Sequence, residues 1–170
     1  MFNDFSPLHP ALVHFPITLL LLASVFGILS LFLKRDVWND MAIKSLIVGV
    51  IFFPLAVITG LMEEQNLEHN EAMHEMLLTH KYLGITLLFY YQILLLWYWL
   101  RKKLIGNKEY IAWVLSLLIG SSLIGYQGYL GGEMVFKYGA GVKAMEGGMK
   151  STGGHDHGGS GKMEMDSSSK

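Results

Sequence analysis

The sequence predicts an all-α integral membrane protein, a four-helix bundle, and three observations carry that expectation. Hydrophobic residues fill 52% of the 170 positions against 16% charged, a balance that soluble domains rarely reach. Four runs free of Asp, Glu, Lys and Arg have spanning length, since a hydrocarbon core about 30 Å thick needs roughly 20 helical residues. Lipid offers no partner to backbone N–H and C=O groups, so only helices or closed barrels cross it, and alternating strands of about 10 residues are absent from the sequence.

The first span runs from Pro10 to Leu33. Ser6-Pro7 before it reads as a helix start, and Pro16 inside it removes a backbone bond and predicts a kink. The opening Met1-Phe2-Asn3-Asp4 has no basic n-region, so this segment is expected to remain in the mature protein. The second span, Ser45 to Met62, is the shortest, and Pro54 predicts a second kink. The third, Tyr82 to Leu100, ends on Trp97, Tyr98 and Trp99, which with Trp113 near the start of the fourth read as an interfacial aromatic belt. The fourth, Tyr110 to Leu130, carries Ser121, Gly125, Gly128 and Gly132 on one helical stripe. Close helix packing of the small-xxx-small kind is the simpler reading of that stripe, and a groove for a flat ligand the sharper one.

Orientation follows from the connections. Lys34, Arg35 and Lys44 follow span one, and Arg101, Lys102, Lys103 and Lys108 follow span three, which predicts that both connections are cytoplasmic. The link between spans two and three carries Glu63, Glu64, Glu68, Glu71 and Glu75 and is expected outside, with both termini. The domain reading is a transmembrane domain over 1–142 and a disordered outer tail over 143–170, where Gly, Ser, Met and His replace any apolar periodicity.

Composition also removes function classes. A net charge of -1 with no Lys/Arg face excludes a nucleic-acid partner. With no cysteine there is no disulfide, thiolate metal site or iron–sulfur cluster. No Ser or Cys nucleophile motif supports a hydrolase. The remaining ligands are His, Met and carboxylates.

The histidines are the main functional clue. His9 and His14 stand at the outer start of span one and His80 opens span three from the same side. Ionisable groups in a membrane are costly and mark sites, although a histidine bonded to the carbonyl that Pro16 frees would also account for His14. A b-type haem takes one neutral imidazole from each of two facing helices. His14 and His80 are the expected axial pair, with His74 an alternative placed in the loop. Gly84, one turn below His80, would leave room for a macrocycle, and Gly125 and Gly128 would supply a flat wall. His155-Asp156-His157, with Met145, Met149, Met163 and Met165, makes a flexible imidazole and thioether set suited to copper.

The opening Leu8-His9-Pro10-Ala11-Leu12-Val13-His14-Phe15-Pro16-Ile17 and the closing Gly128-Tyr129-Leu130-Gly131-Gly132-Glu133-Met134-Val135 through Gly139-Ala140-Gly141-Val142 resemble a bacterial membrane family, domain of unknown function 2231. The resemblance covers most of residues 8–142, the middle matching mainly through His80 and Gly84. It implies four transmembrane helices and a redox or haem-associated role. Many members carry His where this chain has Tyr138, so a ligand at that place is either Tyr138 or lost. Together these readings predict a multi-pass protein of the bacterial cytoplasmic membrane with its tail on the periplasmic or outer side. It holds haem b near the outer face and exchanges electrons with a quinone or an external redox partner. The alternative is a non-enzymatic copper-handling accessory protein using His9, His14, His74, His80, His155 and His157.

Overall fold

The computed structural model describes residues 8–64 and 71–138, and the tail with His155 and His157 lies outside them, as does His69. Four helices follow in order, α1 (Leu8–Phe32), α2 (Arg35–Glu64), α3 (Glu71–Arg101) and α4 (Asn107–Tyr138). Each contains a segment long and apolar enough to cross a membrane.

The helices are longer than the charge-free runs that announced them. Arg35 and Lys44 belong to α2, leaving a two-residue turn, Leu33 and Lys34, between α1 and α2. That turn is tied by the Leu33 N–H to the Leu29 carbonyl (2.9 Å) and the Trp38 N–H to the Lys34 carbonyl (3.2 Å). Asp36 and Glu109 sit in the first turns of α2 and α4, where a carboxylate complements the helix dipole. Neither proline ends its helix: α1 runs on through Pro16 and α2 through Pro54. Membrane helices tolerate the lost bond when neighbouring groups re-satisfy the freed carbonyl.

Packing is a closed ring. Each helix packs its backbone against two neighbours, α1 on α2 and α4, α3 on α2 and α4. Among the described residues the diagonal pairs make no close backbone approach, α2 and α4 meeting only through long side chains at one end. Leu20, Leu46, Leu87, Tyr91, Trp113 and Leu117 are fully buried inside the ring. Ile51, Phe89, Ile93 and Ile119 face outward and are more than half exposed, an arrangement suited to lipid and costly in water. The ring draws tight where glycines face large side chains. A Cβ on Gly49 would stand 2.8 Å from Leu20 Cδ2, and one on Gly120 would stand 2.8 Å from the Tyr91 hydroxyl oxygen.

The small-residue stripe of α4 packs within the chain at Ser121 and lies open beyond it. Ser121 meets Ser24 of α1, whose hydroxyl also approaches the Leu117 carbonyl (2.9 Å). A Cβ at Gly125, Gly128 or Gly132 would meet nothing within 4 Å, and Gly128 and Gly132 line a cavity.

The ends of the bundle differ. At the turn end, where α1 passes to α2 and α3 to α4, a polar network joins all four helices. Tyr110 donates to Asn39 (3.0 Å), Asn39 donates to the Tyr98 hydroxyl (2.6 Å), and Ser30 meets the Tyr110 hydroxyl at 2.6 Å. Arg35 lies over the Tyr110 ring, 4.1 Å from its centroid. Trp113 corrects the aromatic-belt expectation: it is fully buried, donates to the Leu94 carbonyl (3.0 Å) and packs between Tyr98 and Tyr110. An indole whose N–H has a partner inside the bundle gains nothing from the interface. Trp99, mostly exposed, keeps the anchor position.

Candidate functional site

The opposite end, where α1 and α3 start and α2 and α4 finish, opens into a cavity of about 620 Å³ lined from all four helices. That volume lies in the range of cofactor and small-molecule sites. Its wall is largely apolar, Val13, Ile17, Phe53, Leu87 and Ile124 among the lining side chains. Into it converge His9, His14 and His80.

His9 lies half-buried against the end of α2. Its Nδ1 stands 3.1 Å from Thr59 Oγ1, and the Thr59 hydroxyl donates to the carbonyls of Leu55 and Ala56 (3.0 Å each). With its only hydrogen engaged there, the hydroxyl accepts from His9, which makes Nδ1 the protonated nitrogen and leaves the Nε2 lone pair for a ligand. The ring rests on Gly60, where a Cβ would come within 2.9 Å of His9 Cε1. Sequence reading passed over Gly60 and Thr59, since neither carries a signal apart from the helix that brings them to His9.

His80 is set into α3 in the same manner. Its ring rests on Gly131 of α4, whose Cβ would stand 3.3 Å from His80 Cε1. Its Nδ1 is buried without a hydrogen-bond partner. Gln127 of α4 donates its amide to the His80 carbonyl (2.8 Å) and keeps its own Oε1 buried and unpaired. That amide takes the space beside Gly84, 3.1 Å from where a Cβ would be. Gly84 thus makes room for Gln127 as well as lining the cavity.

His14 lines the cavity from an exposed position, and its Nδ1 donates to the Pro10 carbonyl one turn back. The Leu12 carbonyl, which Pro16 frees, is not its partner. His74 belongs to α3 rather than a loop, is exposed, and is not among the lining residues. Gly128 and Gly132 line the cavity and Gly125 does not. Tyr138 closes α4, and its side chain lies outside the described residues. At the rim Lys81 bridges to Glu64 (2.9 Å), tying α3 to α2.

The opening segment of α1 and the closing segment of α4 therefore face one another across a single cavity. A family model described as a predicted membrane protein, DUF2231, matches residues 5–144. The chain belongs to this family. No curated protein and no solved structure matches it. In this DUF2231 member the two segments that carry the resemblance supply His9, Pro10, Val13 and His14 on one wall, and Gly128, Gly131, Gly132 and Met134 on the other.

The donor chemistry is that of neutral imidazoles in an apolar chamber. Among the described residues no three His, Asp or Glu side chains gather as a metal cluster. The cavity brings imidazoles to a wall that is largely apolar, with Glu63, Glu64 and Lys81 also lining it. Haem b takes one or two imidazoles, and the unpaired Nδ1 of His80, the lone pair left on His9 and the open space at Gly128 and Gly132 are compatible with it.

Proposed function

We propose that this membrane protein is a small redox protein whose cavity holds haem b. The observation that carries the reading is the convergence of His9, His14 and His80 on one apolar cavity of cofactor size at one end of the bundle. His80 supplies the imidazole from α3, and α1 offers two, His9 and His14. Bound there, haem b supplies reversible one-electron transfer to and from iron. The protein supplies orientation and dryness: Thr59 holds His9 in the tautomer with a free Nε2, and Leu87, Phe53 and Ile124 keep water from the cavity floor.

The same reading places the cavity at the outer face of the cytoplasmic membrane. Lys34, Arg35, Arg101, Lys102, Lys103 and Lys108 cluster at the turn end, which the positive-inside rule assigns to the cytoplasm. Electrons then pass between the site and a quinone in the outer leaflet or an external donor. The copper-handling alternative draws on His155 and His157, outside the described residues, together with His9, His14, His74 and His80, of which His9, His14 and His80 line the cavity. The test is the absorption spectrum of the full chain purified after expression with ample haem. A Soret band equivalent to one haem per chain is expected, and a colourless protein overturns the proposal.

A further inference from the structure

Four contacts at the helix seams repeat at one spacing. His9 and His80, Gly60 and Gly131, Gly49 and Gly120, and Leu20 and Tyr91 are each 71 positions apart. The contacts repeat with the residues. His9 rests on Gly60 and His80 on Gly131, and Leu20 packs on Gly49 as Tyr91 packs on Gly120. The backbone carbonyl facing the His9 ring is that of Ala56, and the one facing the His80 ring is that of Gln127, again 71 apart. Buried positions follow the same register, with Ala42 matched by Trp113, Leu46 by Leu117 and Phe53 by Ile124.

The ring packing obeys this relation. If α1–α2 maps onto α3–α4, the contact of α2 with α3 must map onto that of α4 with α1, and both exist while the diagonal backbones stay apart, although α1 packs on α2 more extensively than α3 on α4. Because α1 and α3 run in the same direction, the relation is a two-fold rotation about an axis along the bundle. The cavity at the termini end is lined by all four helices, so that axis passes through it.

We infer that the chain is an internally duplicated helical hairpin, and that His9 and His80, related by its two-fold axis, are the paired ligands of the cavity. Nδ1 of His9 meets Thr59 of α2, and Nδ1 of His80 lies 3.9 Å from where a Cβ on Gly131 of α4 would stand, so each Nδ1 lies beside the neighbouring helix of its own half. His14 has no counterpart, since the equivalent position is Ile85. A ligand with two equivalent coordination positions on opposite faces matches such a pair, and haem iron has them. The identity of that ligand rests on the haem reading, whereas the pairing rests on the repeat.

The test has two arms, both on the full chain in detergent. Hemin titration is expected to give one low-spin, six-coordinate haem per chain. His9→Ala and His80→Ala each convert it to a high-spin form, and His14→Ala leaves it low-spin. In the second arm a bis-maleimide joins the His9→Cys/His80→Cys pair in higher yield than the His14→Cys/His80→Cys pair. A low-spin spectrum kept by His9→Ala, or a higher yield from the 14–80 pair, overturns the pairing. A wild-type chain that takes up no hemin removes the haem reading, and the cross-linking yields then decide the pairing alone.

Discussion

Thr59 Oγ1 stands 3.1 Å from His9 Nδ1, and because the threonine hydroxyl is already donating to backbone carbonyls, the bond runs from histidine to threonine. A side chain on α2 thereby decides which nitrogen of an α1 histidine is free. Thr59→Val keeps the shape and removes the acceptor. Its expected cost is about 1 kcal/mol of stability, the net worth of one such bond. The protonated fraction at Nδ1 falls, measured by nitrogen NMR of the ¹⁵N-histidine-labelled protein. An unchanged tautomer would show that the Ala56 carbonyl suffices.

The seats of the two histidines give a graded prediction. A Cβ at Gly60 meets the His9 ring at 2.9 Å and one at Gly131 meets the His80 ring at 3.3 Å, while one at Gly125 meets nothing within 4 Å. Gly60→Ala should displace its imidazole and destabilise by about 1–3 kcal/mol, as overpacking does. Gly131→Ala should do less, and Gly125→Ala, free of any clash, should stabilise by up to about 1 kcal/mol through helix propensity. Thermal unfolding of the three variants in one detergent checks the order, and equal gains would argue that helix propensity, not the rings, sets them.

Much of the fold was legible because lipid leaves so few choices: charge-free runs of spanning length dictate helices, and short connections dictate antiparallel neighbours. The candidate site was legible as histidines entering from one side with Gly84 and Gly128 near them, but not as a built cavity. Its partners, Thr59, Gly60, Gln127 and Gly131, lie on other helices, and nothing local marks a glycine as a seat for a ring. The repeat was hidden for a different reason. Equivalent core positions hold residues of unlike size, Ala42 against Trp113 and Leu20 against Tyr91, so the two halves share spacing and burial far more than identity. Trp113 reads as a membrane anchor from its position near a span end, and only the packed bundle shows Tyr98 and Tyr110 enclosing it.

The network at the turn end carries a stability prediction. Tyr110 is almost wholly buried, and its hydroxyl serves both Asn39 and Ser30. Tyr110→Phe leaves the Asn39 oxygen without its donor, which costs roughly 1–3 kcal/mol for a buried acceptor. The unfolding temperature should drop while the cavity at the far end keeps its ligand affinity. A variant that unfolds no earlier would show that water replaces the phenol.

Orientation is tested by labelling. Lys103 lies exposed in the segment joining α3 to α4 and Thr79 exposed at the opposite end of α3. In intact cells a membrane-impermeant maleimide should modify Thr79→Cys and spare Lys103→Cys until the cells are opened. The reverse pattern would invert the protein in the membrane and place the cavity on the cytoplasmic side.

The last prediction concerns His14. It stands exposed at the cavity wall, bonds within its own helix to the Pro10 carbonyl, and has Ile85 in the equivalent place of the second half. Removing it leaves no buried group unpaired, because the Pro10 carbonyl remains in a helix that supplies its own donors. His14→Ala should therefore cost at most about 1 kcal/mol and leave the hemin spectrum low-spin. The same substitution at His80 empties the space against Gly131 and, on the proposed pairing, removes a ligand, so it should both destabilise and change the spin state. If His14→Ala instead turns the haem high-spin while His9→Ala does not, the ligand from α1 is His14, and the two-fold relation of the helices does not extend to the site they enclose.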